Sequence, residues 1–159
     1  MRIYTIGVYG STEEDFFGKL TRSKIDLFCD IRQRRGVRGR QYAFVNSSYL
    51  QKKLSGLGIG YLYEKRFAPT REIREMQWAE DKVAHQTKKS REALGYTFCC
   101  GYERLILDKE NLDELMATFE TMKAQNIVLF CLESNPNACH RSLLASRLSE
   151  KYNLEVVHL

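Results

Sequence analysis

Residues 127–147 decide the fold of this chain, and they read Ile-Val-Leu-Phe-Cys-Leu-Glu-Ser-Asn-Pro-Asn-Ala-Cys-His-Arg-Ser-Leu-Leu-Ala-Ser-Arg. The apolar run at 127–132 predicts a buried strand, the polar residues 134–137 predict a tight loop, and a helical pattern resumes at Cys139. In open α/β proteins a strand, a loop and a helix N-terminus in this order build ligand sites. The stretch therefore predicts an α/β fold and the place of its site.

The rest of the chain alternates in the same way. Short β-rich runs predict four more strands, at 2–6, 25–29, 58–63 and 154–158. Periodic apolar residues and capping signals predict helices that begin near residues 12, 47, 71, 98 and 112. Strands that alternate with helices indicate a mostly parallel sheet flanked by helices. A chain of 159 residues is most simply one such α/β domain, spanning 1–159.

The helix after Pro69 has a cap and an apolar side that can be checked. Thr70 is the predicted N-cap, because its hydroxyl can accept a hydrogen bond from the first turn. Ile73, Met76 and Val83 recur at helical spacing and predict the buried side. Trp78 stands among charged residues of this helix, and we interpret it as a packing residue.

Bulk composition limits the class of protein. The formal net charge of +5 and the pI near 9.0 favour anionic partners. We find neither an apolar run long enough to span a bilayer nor a pattern typical of a signal peptide, so we expect a cytoplasmic protein with no membrane partner. The five cysteines are odd in number and irregularly spaced, which does not fit a secreted disulfide framework.

An arginine-rich segment follows the second predicted strand. Five arginines and no lysine lie between residues 30 and 40. Guanidinium groups match phosphate and carboxylate in geometry, so the segment predicts an anion site. The candidate ligand-binding residues are Arg32, Arg34, Arg35 and Arg38. Asp30 could orient one of these arginines or act as a base; the alternative is an exposed basic loop without a ligand.

The second cluster is Cys139-His140-Arg141 at the start of a predicted helix. With Asn137 as the N-cap, Cys139 falls in the first turn, where the helix dipole should depress the pKa of the thiol and make it a nucleophile. His140 could then carry a proton and Arg141 could bind the anion. Glu133 could orient Arg141 or act as a base. In the alternative interpretation Cys139 packs inward, His140 is solvated and Arg141 pairs with Glu133.

Cys131 and Glu133 end the same strand with one residue between them, so their side chains share one side. Cys131 is a further candidate ligand-binding residue. If the strands at 25–29 and 127–132 are parallel, the loops that follow them lie at the same edge of the sheet. The arginine-rich segment and the Cys-His-Arg cluster would then converge.

Several motifs together resemble the bacterial and archaeal family called domain of unknown function 488. They are Asp30-Ile31-Arg32, Gly58-Ile59-Gly60-Tyr61, Cys131-Leu132-Glu133, Cys139-His140-Arg141 and the final His158-Leu159. The resemblance implies an α/β fold and a small cytoplasmic protein. It does not indicate which reaction the protein carries out, and any cofactor is left unknown. The chain departs from other branches of the family at Gly7-Val8-Tyr9-Gly10, where it has no histidine.

Three functional hypotheses follow. The preferred one is an enzyme acting on a phosphorylated or nucleotide-like anion, with Cys139, His140, Glu133 and Asp30 as catalytic candidates. The second is a nucleic-acid-binding module that also uses Lys88, Lys89 and Arg91 on phosphates. The third is a metal-dependent enzyme in which the same Cys/His/Glu cluster supplies ligands, although its spacing matches no closed zinc motif.

Overall fold

The computed structural model describes residues 1–87 and 90–159, so Lys88 and Lys89 lie outside the described residues. In this part of the chain five strands form one sheet in the order β3-β2-β4-β1-β5, and every pairing is parallel. The strands are β1 (Arg2–Ile6), β2 (Leu27–Asp30), β3 (Gly60–Tyr63), β4 (Asn126–Phe130) and β5 (Val156–His158). The predicted α/β fold is confirmed, and the sheet is wholly parallel.

Helices cover both faces of the sheet. They are α1 (Glu13–Arg22), α2 (Ser47–Gly56), α3 (Arg71–Val83), α4 (Tyr96–Tyr102), α5 (Leu112–Thr121) and α6 (His140–Tyr152). A π-helical turn, Glu103–Leu107, continues α4. No helix within the described ranges has both the length and the apolar character needed to cross a bilayer.

The alternation of side chains along the strands divides the core in two. On one face Phe28 and Phe130 pack against Phe16 of α1 and Leu50 and Leu54 of α2. On the other face, residues of the same strands pack with the apolar sides of α4, α5 and α6. Because β2 and β4 are covered on both faces, residues 27–29 and 127–130 are continuously apolar rather than alternating.

Helix α3 begins as predicted, and it buries Ile73 as predicted but not Val83. Thr70 is the N-cap, and its Oγ1 accepts a hydrogen bond from the Ile73 amide at 3.3 Å. The buried side holds Ile73, Gln77 and Asp81, whereas Val83 is 82% exposed, so its predicted burial is wrong. Trp78 is 55% exposed, and its interpretation as a packing residue is also wrong. Polar residues can occupy the inner side because buried partners satisfy them.

The carboxyl ends of β2 and β4 lie side by side. Asp30, the last residue of β2, is in register with Phe130, the last residue of β4. The segments that follow both strands therefore leave the sheet at the same edge, as the sequence predicted. The chain leaves β2 towards β3 on one side and leaves β4 towards β5 on the other. Such a reversal between adjacent strands creates the kind of crevice where open α/β sheets bind ligands.

Candidate functional site

A cleft of about 260 Å³ opens at this edge of the sheet. Three parts of the chain line it: the segment after β2, the stretch from α3 to α4, and the loop between β4 and α6. The lining residues that bear charge, thiol or imidazole groups are Arg32, Arg34, Arg74, Arg91, Cys131, Glu133, Cys139 and His140. The two clusters singled out in the sequence thus meet in one cleft, together with residues from a third region.

Arg32 is fixed by a carboxylate two residues earlier in the chain. Its Nε and Nη2 donate to the two oxygens of Asp30 at 2.9 and 2.7 Å, and Nη2 also donates to the Val45 carbonyl. The guanidinium stacks over the ring of Phe130, 4.5 Å from its centroid. Tyr61 donates its hydroxyl to Asp30 Oδ2 at 2.9 Å. Asp30 therefore orients an arginine, the first of the two roles considered for it.

The pKa of Tyr61 reflects the buried carboxylate of Asp30 beside it. Burial and the neighbouring Asp30 carboxylate raise the pKa of Tyr61 to about 12. The phenol therefore remains a hydrogen-bond donor to Asp30 throughout the physiological pH range.

Arg91 stands on the other side of the cleft and is held by helix α3. Its Nη1 donates to Asp81 Oδ2 at 2.9 Å, and its Nη2 lies 3.9 Å from Glu133 Oε1. Gln77 donates to the second oxygen of Asp81 at 2.8 Å and accepts from the Gly95 amide. The chain after α3 is therefore bound to the helix through buried polar contacts.

Several arginine N–H groups around the cleft have no acceptor among residues 1–87 and 90–159. They are Nη1 of Arg32, Nε of Arg74 and Nε of Arg91, all shielded from solvent. Buried donors are normally satisfied, because an unmade hydrogen bond costs about 1–3 kcal/mol. Four arginines line the cleft. Asp30 and Asp81 neutralise the charges of Arg32 and Arg91. Glu133 can neutralise only one of the other two, Arg34 and Arg74. The cleft therefore has spare donors and an excess of positive charge.

The loop after β4 differs from the prediction at the point where helix α6 begins. Asn135 caps a short 3₁₀ turn by accepting a hydrogen bond from the Asn137 amide at 2.9 Å. Helix α6 then begins at His140, and Cys139 takes the N-cap position. The prediction that Asn137 caps this helix is wrong, because Pro136 starts a separate turn that ends before Cys139.

Arg141 lies beneath the loop rather than in the cleft. It is 1% exposed, and its Nη1 and Nη2 donate to the carbonyl oxygens of Glu133 and Ser134 at 2.5 and 2.8 Å. Arg141 therefore contacts the backbone of Glu133, whereas the alternative interpretation paired it with the carboxylate. Its side chain fixes the loop that carries Glu133 at the cleft wall.

The end of β1 supports the same loop from below. The amides of Val8 and Tyr9 both donate to the Leu132 carbonyl at 3.0 Å. A Cβ on Gly7 would stand 1.8 Å from the Glu133 carbonyl oxygen, so no larger residue fits without moving the loop. Gly7 is thus required by a close backbone approach.

Cys131 and Cys139 form a buried pair of thiols at the floor of the cleft. Burial and the adjacent Cys131 raise the pKa of Cys139 well above its ordinary value. The hydrogen bond from Cys139 lowers the pKa of Cys131 to about 6, against the opposing effect of burial. The predicted depression of the Cys139 pKa is wrong, because its side chain is buried beside Cys131 instead of facing solvent.

His140 completes the cluster. Its Nε2 lies 3.3 Å from the Ile31 carbonyl oxygen, and a carbonyl only accepts, so Nε2 carries the hydrogen. Nδ1 faces the thiols, 3.8 Å from Cys139 Sγ. Burial alone would lower the pKa of His140, but Cys131 and Glu133 raise it above its usual value. His140 is 5% exposed, so the alternative in which it is solvated is wrong.

Two candidate arginines stand apart from the cleft in the described part of the chain. Arg35 stacks over Tyr63, with its Cζ 4.4 Å from the ring centroid. Arg38 is exposed and lines no part of the cleft.

Helix α3 supplies lining residues that we did not assign to the site from the sequence. Gln77 and Trp78 follow Arg74 by three and four residues, so both lie on its side of the helix. All three line the cleft. That spacing was a signal in the sequence, but the polar face of an amphipathic helix usually indicates only solvent.

Comparison with known proteins gives one family. A family model described as "Domain of unknown function DUF488" matches residues 12–148, which include every residue that lines the cleft. Neither the curated proteins nor the solved structures yield a match to the chain.

Proposed function

The chain belongs to the DUF488 family, and we propose, from the cleft alone, that it is an enzyme that binds a small phosphorylated or nucleotide-like anion. The observation that carries the proposal is the set of buried arginine donors beside the Cys131–Cys139–His140 cluster. Arginine matches the geometry of phosphate oxygens, and donors held in place beforehand lose little freedom on binding.

The proposed roles follow from position. Arg32 and Arg91 are held by Asp30 and Asp81, so they would present fixed donors to the anion from two sides. Arg34, which is exposed at the rim, would supply additional charge. Asp30 is a positioning residue in this scheme because its oxygens are occupied by Arg32 and Tyr61.

The reacting part of the substrate would lie over the cleft floor. His140 would move a proton, the thiol pair with Cys139 would provide the reacting groups, and Glu133 would orient them from the wall. The earlier assignment of Cys139, His140 and Glu133 as catalytic residues is part of this proposal. A cytoplasmic setting, which is part of this proposal, would keep the thiols reduced.

The size of the cleft favours a small ligand over a nucleic-acid strand. A volume of about 260 Å³ suits a phosphorylated metabolite, whereas a strand needs an extended basic groove. Of the basic residues assigned to nucleic acid, Arg91 is 8% exposed and committed to Asp81. Lys88 and Lys89 lie outside the described residues.

Trp78 provides the assay. It is the one tryptophan of the sequence, it lines the cleft and it is exposed, so its fluorescence reports on the cleft alone. We expect saturable changes on titration with inorganic phosphate and with nucleoside monophosphates. Arg34→Gln should weaken this binding about threefold to tenfold, the equivalent of roughly 0.7–1.4 kcal/mol.

Arg38→Gln is the matched control, because Arg38 is an exposed arginine of the same segment outside the cleft. It should leave phosphate affinity unchanged. Equal losses in the two variants, together with affinity that grows with oligonucleotide length and falls steeply with salt, would support the nucleic-acid module instead. The absence of any saturable anion binding would refute the proposal.

A further inference from the structure

The floor of the cleft has the composition of a metal site. Among the described residues, Cys131, Cys139 and His140 form a group whose potential ligand atoms all lie within 4.8 Å of one another. We infer that these three residues bind a divalent transition metal ion, with Zn²⁺ as the best match. The inference rests on the proposed function for the role of the cleft in binding an anion. It replaces the roles given above to His140 and the two thiols, because metal ligands would no longer carry a proton or react as free thiols.

The separation of Cys139 and His140 matches tetrahedral coordination. Bonds of about 2.3 Å to sulfur and about 2.05 Å to nitrogen place S and N about 3.6 Å apart across a tetrahedral zinc ion. The observed separation of Cys139 Sγ and His140 Nδ1 is 3.8 Å. This pair of ligand atoms is therefore within a few tenths of an ångström of its coordinated separation, and all three ligand atoms lie within 4.8 Å of one another.

The imidazole is oriented as a ligand. Metal-binding histidines usually donate their second ring N–H to a carbonyl or carboxylate, which fixes the tautomer and the ring plane. His140 does this through Nε2 and the Ile31 carbonyl at 3.3 Å, so Nδ1 faces the two sulfur atoms. Ile31 follows β2, so the orienting contact comes from the strand next to β4.

Charge also favours a divalent ion with two thiolates. Coordination by the thiolates of Cys131 and Cys139 cancels the two positive charges of the metal. The site can therefore fill beside Arg32 and Arg91 without adding net charge to the cleft. A carboxylate-rich site would select harder ions, whereas two sulfurs and one imidazole select zinc or a similar metal.

Three protein ligands leave a fourth position open. The three side chains are at most 5% exposed, yet all of them line the cleft, so ions and water reach them only from that side. Three ligands plus an open position is the arrangement of catalytic zinc, whereas structural zinc has four protein ligands. His158 cannot complete the set, since it bonds Thr5 Oγ1 on the far side of β1.

Binding of the metal alone provides the test. The full chain, reduced with a phosphine, is loaded with Zn²⁺, desalted and analysed for metal; we expect about one ion per chain. Substitution with Co²⁺ should give tetrahedral d–d bands and a thiolate-to-cobalt charge-transfer band. Zn²⁺ should protect two cysteines, Cys131 and Cys139, from alkylation, as mapped by mass spectrometry.

Substitutions test which residues bind the metal ion. Cys131→Ser and His140→Gln should weaken zinc binding at least about 100-fold, judged from the size of supporting-shell effects. Cys100→Ser, at an exposed thiol outside the site, is the control and should bind zinc as the unmodified chain does. The cobalt spectrum and the protection pattern come from the unmodified chain, so they hold even where a variant fails to fold.

The outcomes separate the two proposals. No retained metal, no charge-transfer band, or protection of a different pair of cysteines would overturn the metal site. A chain that binds phosphate through Arg34 but takes up no zinc would overturn only this inference. A chain that binds zinc but no phosphate would keep the metal site and refute the anion-binding enzyme.

Discussion

Two buried arginines line the cleft, and they are held in different ways. Arg32 is 2% exposed and makes two bonds to Asp30, two residues away, at the end of one strand. Arg91 is 8% exposed and makes one bond to Asp81, which lies ten residues back on helix α3. The first pair fixes a side chain within a local segment. The second attaches a separate part of the chain to the wall of the site.

Loss of the buried ion pair between Asp30 and Arg32 should have the largest effect on stability. Asp30→Asn leaves the Arg32 guanidinium buried without its counter-charge, which should lower the free energy of unfolding by about 3–5 kcal/mol. Urea denaturation measures the loss. The control is Asp108→Asn, in an exposed pair with Arg147, where we expect less than about 1 kcal/mol. Similar losses in the two variants would mean that the Asp30 pair is solvated in solution.

The same substitution at the second pair should cost less stability. For Asp81→Asn we expect a loss of about 1–3 kcal/mol, because Gln77 can still bond to residue 81 and Glu133 lies within reach of Arg91. Phosphate affinity, followed by Trp78 fluorescence, should fall because Arg91 is no longer held in place. Unchanged phosphate affinity in a folded Asp81→Asn protein would show that Arg91 takes no part in anion binding.

Loss of the Tyr61 hydrogen bond, which supports the pair of Asp30 and Arg32, should have the smallest effect on stability. Tyr61→Phe removes one hydrogen bond to Asp30 but no charge, so the expected loss is about 0.5–1.5 kcal/mol by urea denaturation. Tyr49→Phe, at an exposed phenol that donates to Glu13, should change stability by less than about 0.5 kcal/mol. A loss from Tyr61→Phe as large as that from Asp30→Asn would make the phenol, rather than the ion pair, the main support of Arg32.

The contrast between the two ion pairs also shows which features of the fold and the site could be predicted from the sequence. Asp30 and Arg32 are near neighbours at a predicted strand end, so their meeting follows from local geometry. The fold was predictable for the same reason, since β1 is bounded as predicted and the strand ends converge as parallel pairing requires. Strand and helix patterns are local properties, and the parallel topology adds only general rules.

The rest depends on contacts between distant segments. Gln77 and Asp81 look like solvent-facing residues of a polar helix, and only the return of the chain to Arg91 gives them a buried role. Cys139 could be placed near a helix start, but whether its thiol faces solvent or Cys131 depends on one residue of register. Trp78 is exposed because the cleft lies beside it.

The position of β4 has a consequence for how the chain assembles during synthesis. β4 lies between β1 and β2, although the ribosome makes both of those strands well before it. The two neighbours of β1, namely β4 and β5, both come from residues 126–158. The first strand must therefore wait for both of its neighbouring strands until most of the chain has emerged. Such long-range closure slows folding and gives chaperones a period in which to bind the nascent protein.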